Sequence, residues 1–198
     1  MYYHLLTIQA KDKQYITHTS DSLINRIVSY YEESGDKERL MMAYYYQGST
    51  YRDMNDAPRA LKAFHQAIDA SKGAKDLTLL GQTYGQMGTL LSYQELYDEA
   101  LDAKQHALKL YMRQNDSTRF PYLNRDIARI YSAKRKNDSA LYYYGLAYQY
   151  AKDMKLSRQQ YSILSELGCL HFKIGDVETA KRLLQQSLKE GREMPNAL

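Results

Sequence analysis

The sequence predicts an all-α protein built as an array of antiparallel helix hairpins, and three observations lead to this prediction. Apolar residues recur at intervals of three and four along nearly the whole chain, which is the period of an amphipathic helix, and there is almost no strand pattern. Short polar breaks divide the 198 residues into segments of about 12–18 residues, a usual length for globular helices. Small residues also recur every 40 residues, which indicates an internal repeat.

The polar breaks set the expected helix ends in chain order. They read SGD at 34–36, MND at 54–56, SKG at 71–73, QND at 114–116, KND at 137–139 and IGD at 174–176. No stretch between them is long enough to be a linker between domains, so we expect one continuous array.

The N-terminal stretch follows the same register in a degenerate form. We expect residues 1–10 and 20–34 to be a first helix pair, joined by the longer segment KDKQYITHTS. Thr19 or Ser20 with Asp21 is the expected N-cap of the second helix, because short polar side chains satisfy the free N–H groups at a helix start. Neither end of the chain is typical of a polar capping helix, so we expect the chain to be a piece of a longer protein.

Columns of small residues define the repeat. Glycine inside a helix costs about 1 kcal/mol relative to alanine, so we expect a second helix to approach too closely for a side chain at these places. A phosphate loop at Gly81, Gly85 and Gly88 is the alternative, but the preceding strand and the loop spacing are missing. The columns are Gly48, Gly88, Ala128 and Gly168; Ala60, Ala100, Ala140 and Ala180; and Ala67, Ala107, Ala147 and Ser187.

With these columns the chain resembles the tetratricopeptide repeat. The first copy matches that family's large, small and aromatic places at every point, and the resemblance covers residues 38–194. It implies a right-handed α-α superhelix of helix hairpins, with copies at 38–77, 78–117, 118–157 and 158–198 after the degenerate pair 1–37. The period is 40 rather than 34 residues. Polar residues stand where the family is usually apolar or aromatic at Gln47, Lys104, Asn124 and His171.

A looser resemblance concerns the compartment. The stretch LLTIQAKDKQYITHTSDSLI, followed by such repeats, is similar to repeat regions of envelope-anchored, signalling-related proteins of Gram-negative bacteria. This resemblance implies a periplasm-facing location, with the cytoplasm as the alternative.

The sequence contains no arrangement typical of catalysis or of a cofactor. The phosphate-loop, zinc-protease, Cys-x-x-Cys, dinucleotide-binding and EF-hand spacings are all missing. None of the five histidines has a His or Cys at i+3 or i+4, and Cys169 has no local base. We therefore predict a protein that is not an enzyme and uses no metal or cofactor.

Charge and hydropathy limit the classes of partner that this segment can bind. The net charge of +4 comes from interleaved acidic and basic residues, and no apolar run approaches the roughly 18 residues of a membrane span. We expect this segment to contact neither nucleic acid nor membrane. The 21 tyrosines either replace Leu and Phe in packing or form an aromatic recognition surface.

In the tetratricopeptide family the first helices of successive copies line a concave groove. The residues that this register places inward include four cations against one acid, Asp53, which suits an extended acidic peptide better than a fatty ligand. Ordinary solvated residues on an exposed face are the alternative. The places where some family members clamp a C-terminal carboxylate hold neither Lys nor Asn here. The expected ligand-binding residues are Tyr45, Ser49, Arg52, Thr89, Tyr93, Tyr122, Arg125, Arg129, Phe172 and Lys173.

The sequence thus predicts a non-catalytic module that binds a protein or an extended acidic peptide, as the sensing or scaffolding part of a larger protein. The alternatives are a structural array that forms homo-oligomers through its ends and, less favoured, a regulator whose nucleic-acid binding lies in a separate domain.

Overall fold

The fold is described from a computed structural model over residues 1–72 and 77–192, with only the backbone considered for residue 192. These residues form ten α-helices and no strand, so the predicted all-α class is confirmed. None of the described helices is both long and apolar enough to cross a membrane. The helices are α1 Tyr2–Lys13, α2 Ser22–Ser34, α3 Lys37–Asp53, α4 Ala57–Ala70, α5 Thr78–Tyr93, α6 Tyr97–Arg113, α7 Phe120–Ala133, α8 Asn137–Asp153, α9 Ser157–Lys173 and α10 Val177–Arg192, with a short 3-10 turn at Ser117–Arg119.

The helices associate as successive hairpins within two compact units. Unit 1 ends at Gln114 and contains α1–α6, and unit 2 begins at Asn115 and contains α7–α10. The most extensive packing joins α3 with α4, α5 with α6, α7 with α8, and α9 with α10. The pairs α5–α6 and α7–α8 lie within residues 78–117 and 118–157, whereas α3 and α9 each begin one residue before the expected start of a copy, at Lys37 and Ser157. Residues 193–198 of the last expected copy lie outside the described residues.

The small-residue columns mark the closest approach of paired helices, as predicted. A Cβ added at Gly88 would lie 3.1 Å from the carbonyl oxygen of Ala100, and one added at Gly168 would lie 3.3 Å from that of Ala180. A Cβ at Gly48 would collide with the ring of Phe64 at 2.5 Å. The glycines of the first helices therefore face the second helices, where the alanine columns are buried.

The backbone conformation of the turns also repeats every 40 residues. Left-handed residues recur every 40 positions after the first helix of each pair, at Tyr15, Asn55, Glu95, Arg135 and Gly175. At each of these turns the next N–H closes on a carbonyl five residues earlier, as Asp56 does on Tyr51 at 2.9 Å. This is the Schellman closure that ends a helix abruptly. The turns between pairs contain a second such set, Gly35, Asn115 and Lys155.

Aspartates cap several helices where they follow these turns. The carboxylates of Asp36, Asp56 and Asp176 accept backbone N–H bonds from Arg39, Arg59 and Thr179 at 3.0–3.1 Å. The same groups hold the pKa of each carboxyl below its usual range: chiefly the Arg39 and Arg59 backbone N–H groups for the first two, and hydrogen bonds from Thr179 for Asp176.

The expected degenerate first pair is present as α1 and α2, with Leu5, Ile8 and Ile24 buried between them and α3. The predicted cap residues are in place, but Ser20 and not Asp21 provides the hydrogen bond. Asp21 occupies the N-cap position but makes no capping bond, since its carboxylate accepts from the Arg59 guanidinium at 3.1 Å. The Ser20 hydroxyl instead accepts the N–H of Ser22 at 3.3 Å.

Candidate binding faces of the first helices

In unit 1 the first helix of the degenerate pair covers part of the expected ligand-binding set. Tyr45 is 4% exposed and Ser49 is 0% exposed. Both residues lie on α3, against which α1 packs. Burial raises the pKa of the Tyr45 hydroxyl, with the Asp12 carboxylate of α1 adding to the effect. The expectation that Tyr45 and Ser49 face a ligand is therefore wrong for this conformation, because the neighbouring first helix occupies that side.

Arg52 lies on the expected face but is already neutralised. Its Nη2 lies 2.7 Å from the Asp53 carboxylate and 3.5 Å from the Asp12 carboxylate. Its Nη1 donates to the Gln86 side-chain oxygen at 3.0 Å. Asp53 also accepts the N–H of His18 at 3.0 Å. This network joins α1, α3, α5 and the segment before α2, so Arg52 serves the packing of unit 1.

The two remaining residues of the expected set in unit 1 differ in whether their side chains are free to contact a ligand. The Thr89 hydroxyl donates to the Gly85 carbonyl at 3.1 Å and accepts from the buried Lys104 ammonium at 2.6 Å, so it serves the α5–α6 pair. Tyr93, at the end of α5, is 79% exposed. It is the residue of the expected set in unit 1 that presents a large free surface.

In unit 2 the expected Arg129 is held by an acid that the sequence did not reveal. Its Nε lies 2.7 Å from Glu166 on α9, and the second carboxylate oxygen receives the other side of the guanidinium fork. The Tyr144 hydroxyl, on α8, donates to the same carboxylate at 3.0 Å. The Glu166 bond raises the pKa of Arg129, and burial, followed by the Glu166 charge, raises that of Tyr144.

A spacing signal could have located Glu166. Arg129 and Glu166 are 37 residues apart, and so are Tyr122 and Gln159, whose amide donates to the Tyr122 hydroxyl at 2.8 Å. A separation of one repeat less three residues places a side chain one helical turn back on the next first helix. The pair Arg52–Gln86, at 34 residues, follows the same logic one turn further back.

Three expected residues of unit 2 remain available. Arg125 is half-buried, and its Nε is shielded from solvent with no hydrogen-bond partner among the described residues. Phe172 is 65% exposed at the end of α9, and Lys173 next to it is exposed. Since α7 and α9 are neighbouring first helices of unit 2, these side chains combine a guanidinium, an ammonium and an aromatic surface.

The polar departures from the repeat pattern are each hydrogen-bonded. Gln47 donates to Asn25 at 2.9 Å, Asn124 donates to the Phe120 carbonyl at 2.8 Å, and the His171 ring lies 3.0 Å from the Asp176 carboxylate. Within the part of the chain that the structure describes, no three His, Cys, Asp or Glu side chains come together as metal ligands would.

Comparison with known proteins agrees with this architecture. The sequence model of the tetratricopeptide repeat matches residues 38–113. No curated protein matches the chain.

Solved structures extend the likeness to nearly the whole chain. BtubC (BKLC) from P. vanneervenii is 18% identical with a TM-score of 0.75, over 88% of this chain and 73% of its own. A signal transduction ATPase with numerous domains and a tetratricopeptide repeat sensor, from Pyrococcus horikoshii, is 12% identical with a TM-score of 0.83, over 96% of this chain and 30% of its own. The apo form of RapI is 12% identical with a TM-score of 0.84, over 97% and 54%. At these identities the likeness is one of fold.

Proposed function

We propose that this chain, which belongs to the tetratricopeptide-repeat family over residues 38–113 and has the fold of such arrays beyond them, is a non-catalytic module that binds an acidic, extended segment of a protein partner. Helix-hairpin arrays of this kind are used for protein–protein interaction, and each presents the faces of its first helices for contact. The proposed role in a larger protein is that of a sensor or scaffold, as the description of the Pyrococcus protein suggests.

The observation that supports this proposal most strongly is the state of Arg125. Arg52 and Arg129 already have carboxylate partners, whereas the Arg125 Nε has no hydrogen-bond partner among the described residues. An N–H of a charged group that is shielded from water without an acceptor costs free energy, and a turn of this half-buried guanidinium toward a carboxylate of a bound partner would supply the missing charge-assisted bond. Arg125 is therefore the proposed principal contact with an acidic group of the partner.

Phe172 and Lys173 extend the proposed site along the ligand. They lie seven and eight residues beyond Ser165, which is the position on α9 that corresponds to Arg125 on α7. Seven residues of helix correspond to about 10 Å, or about three residues of an extended peptide. A partner with an acidic residue at Arg125, and with an apolar and a second acidic residue about three positions away, would match this spacing.

The test is a pull-down of partners from the native cell extract, followed by affinity measurement on the captured segment. Arg125→Ala should weaken binding by about tenfold, the effect expected for one charge-assisted hydrogen bond in a partly shielded place. It should not lower the melting temperature, because Arg125 makes no described ion pair and its Nε has no hydrogen-bond partner among the described residues. Lys181→Ala, which removes an exposed cation of α10, is the matched control and should bind like the wild type.

Equal capture by the wild type, Arg125→Ala and Phe172→Ala would contradict the proposed face. Loss of self-association in place of partner loss would instead favour a structural array that joins copies of this chain.

A further inference from the structure

Unit 1 contains a cleft on the side formed by the second helices of its pairs. A cleft of about 370 Å³ lies between α2 and α4, with α3 as its floor. That volume falls in the range of ligand pockets, about 300–1,000 Å³. The cleft is lined by residues other than those expected to bind in the groove, so it is independent of the site proposed above.

The floor of the cleft is polar where the repeat is otherwise apolar. The positions 40, 80 and 120 residues after Gln47 hold Met87, Ile127 and Leu167. The Gln47 amide donates to the Asn25 side-chain oxygen at 2.9 Å. The Tyr51 hydroxyl donates to the same oxygen at 3.1 Å.

These contacts hold the two amides in fixed orientations and leave part of each one open. The Asn25 amide nitrogen and the Gln47 amide oxygen make no hydrogen bond to described residues. Both side chains line the cleft and are partly exposed, so a bound segment can reach their unused donor and acceptor. The open donor and acceptor match the C=O and N–H groups of a peptide backbone.

The two walls of the cleft, α2 and α4, carry opposite charges at different positions along the helix axes. On α4, Lys62 is exposed and makes no described ion pair, whereas its neighbour Arg59 is held by Asp56 and Asp21. On α2, the Glu32 carboxylate accepts the Tyr44 hydroxyl and has no described cationic partner.

Glu32 lies at the level of Gln66, which is one turn beyond Lys62, because the Tyr44 hydroxyl forms hydrogen bonds with both Glu32 and Gln66. Four residues of helix correspond to about 6 Å along the cleft. Side chains at positions i and i+2 of an extended peptide point the same way about 6.6 Å apart, so their spacing matches the two charges.

We propose that this cleft, with Asn25 and Gln47 on its floor and Lys62 and Glu32 on its walls, binds an extended peptide segment that carries an acidic and a basic side chain two residues apart. The acidic side chain would contact Lys62, the basic one Glu32, and the backbone of the segment the two amides.

The side-chain amide signals of Asn25, Gln47 and Gln66 in the nitrogen–proton NMR spectrum report on the cleft directly. The probes are three blocked tripeptides, acetyl-Asp-Ala-Lys-amide, acetyl-Asp-Ala-Asp-amide and acetyl-Lys-Ala-Lys-amide, titrated to millimolar concentration. We expect the mixed-charge peptide to shift these signals with the highest affinity. Uniform absence of shifts with all three peptides would overturn the proposal.

Charge reversal sharpens the test. Lys62→Glu should weaken the mixed peptide about fivefold and make the dibasic peptide the preferred one, because both walls are then acidic. Glu32→Lys should shift the preference to the diacidic peptide; Glu32→Gln, which keeps an acceptor for Tyr44, should only weaken the mixed peptide. A preference order that stays the same in both reversals would contradict the assignment of the walls.

The matched control is Arg182→Glu. Residue 182 occupies the place of Lys62 three repeats later, on α10 of unit 2, and it is exposed. There Leu167 replaces Gln47. This variant changes the net charge as Lys62→Glu does and should leave the peptide preference unaltered. Arg125→Ala should also leave it unaltered, so failure of the cleft and failure of the groove site can be distinguished.

Discussion

Units 1 and 2 both pack their helix pairs through the columns of small residues, which we call the seam. They stabilise the faces of their first helices differently. In unit 1, Arg52 is surrounded by Asp53, Asp12 and Gln86 from α3, α1 and α5. In unit 2, Arg129 forms a bidentate ion pair with Glu166, whose carboxylate also accepts a hydrogen bond from the hydroxyl of the buried Tyr144. Each unit thus ties neighbouring first helices together through one arginine, from different places in the repeat.

The difference shows which positions of the repeat are constrained. The glycine and alanine columns recur in both units because the helix backbones approach within side-chain distance there. The faces of the first helices carry no such constraint, so each unit holds a different set of polar contacts. Predictions that perturb the seam should therefore have the largest effects, and those that perturb the face should have intermediate ones.

The largest effect is expected for Ala100→Trp in unit 1. Ala100 is fully buried, and its carbonyl oxygen lies 3.1 Å from the place that a Cβ at Gly88 would occupy. A bulky ring there should lower the free energy of unfolding by about 3 kcal/mol or more, since overpacking of a dense contact costs about 1–3 kcal/mol and a close helix pair leaves less room. Urea unfolding followed by circular dichroism measures the change.

Glu99→Trp places the same ring on the adjacent, exposed residue of α6 and is the control. It should change the stability by less than about 0.5 kcal/mol. An Ala100→Trp protein that unfolds at the wild-type urea concentration would show that the small columns do not mark the seam.

An intermediate effect is expected for Glu166→Ala in unit 2. The substitution leaves the hydroxyl of Tyr144, a buried residue, without its acceptor. Arg129 loses its bidentate partner and keeps the longer contact with Asp126, at 3.7 Å. Loss of an acceptor for a buried donor costs about 1–3 kcal/mol, and the arginine is partly exposed, so we expect about 2 kcal/mol in urea unfolding.

The corresponding change in unit 1, Arg52→Ala, should cost less than about 1 kcal/mol. Its carboxylate partners keep some exposure, and Asp53 retains the N–H of His18. A double-mutant cycle with Arg129→Ala and Glu166→Ala separates the pair from its surroundings. A coupling energy near zero would contradict the role given to Glu166 in joining α7 and α9.

The contrast also explains what the sequence could and could not predict. The seam was predictable because packing imposes a 40-residue period on small residues, and even the first helix pair followed from that register. Contacts on the face depend on which residue of the next first helix lies opposite. Glu166 lies at the 37-residue spacing described above, which becomes a signal once one such pair is known. Tyr45 and Ser49 were placed on the surface because the register predicts α1 but not how closely it covers α3.

Two more features follow from three-dimensional placement alone. Asp21 has the sequence of an N-cap, yet its carboxylate contacts Arg59, a residue 38 positions away. Gln47 was recognised as a departure from the repeat, but its partner Asn25 lies on another helix and has no pattern of its own.

The smallest effect concerns the left-handed residues of the turns, which recur in both units. Glu95 in unit 1 and Arg135 and Lys155 in unit 2 have φ of 60°, 57° and 55°. Such a conformation costs a residue with a Cβ about 1 kcal/mol or more, and glycine adopts it freely. Replacement of each by glycine should raise the free energy of unfolding by about 0.5–1 kcal/mol, after allowance for the larger entropy of glycine in the unfolded chain.

The sign of this effect depends on the conformation and on little else, because these side chains lie on turns at the surface. Asn55→Gly should gain less than the other three, since asparagine tolerates the left-handed region better than Glu, Arg or Lys. Gln94→Gly, one residue before Glu95 at a φ of −87°, should lose about 0.5–1 kcal/mol, because glycine there only adds entropy to the unfolded state. Urea unfolding of the five variants gives the comparison. If Glu95→Gly and Gln94→Gly change the free energy of unfolding in the same direction, the left-handed conformation at Glu95 does not strain the backbone.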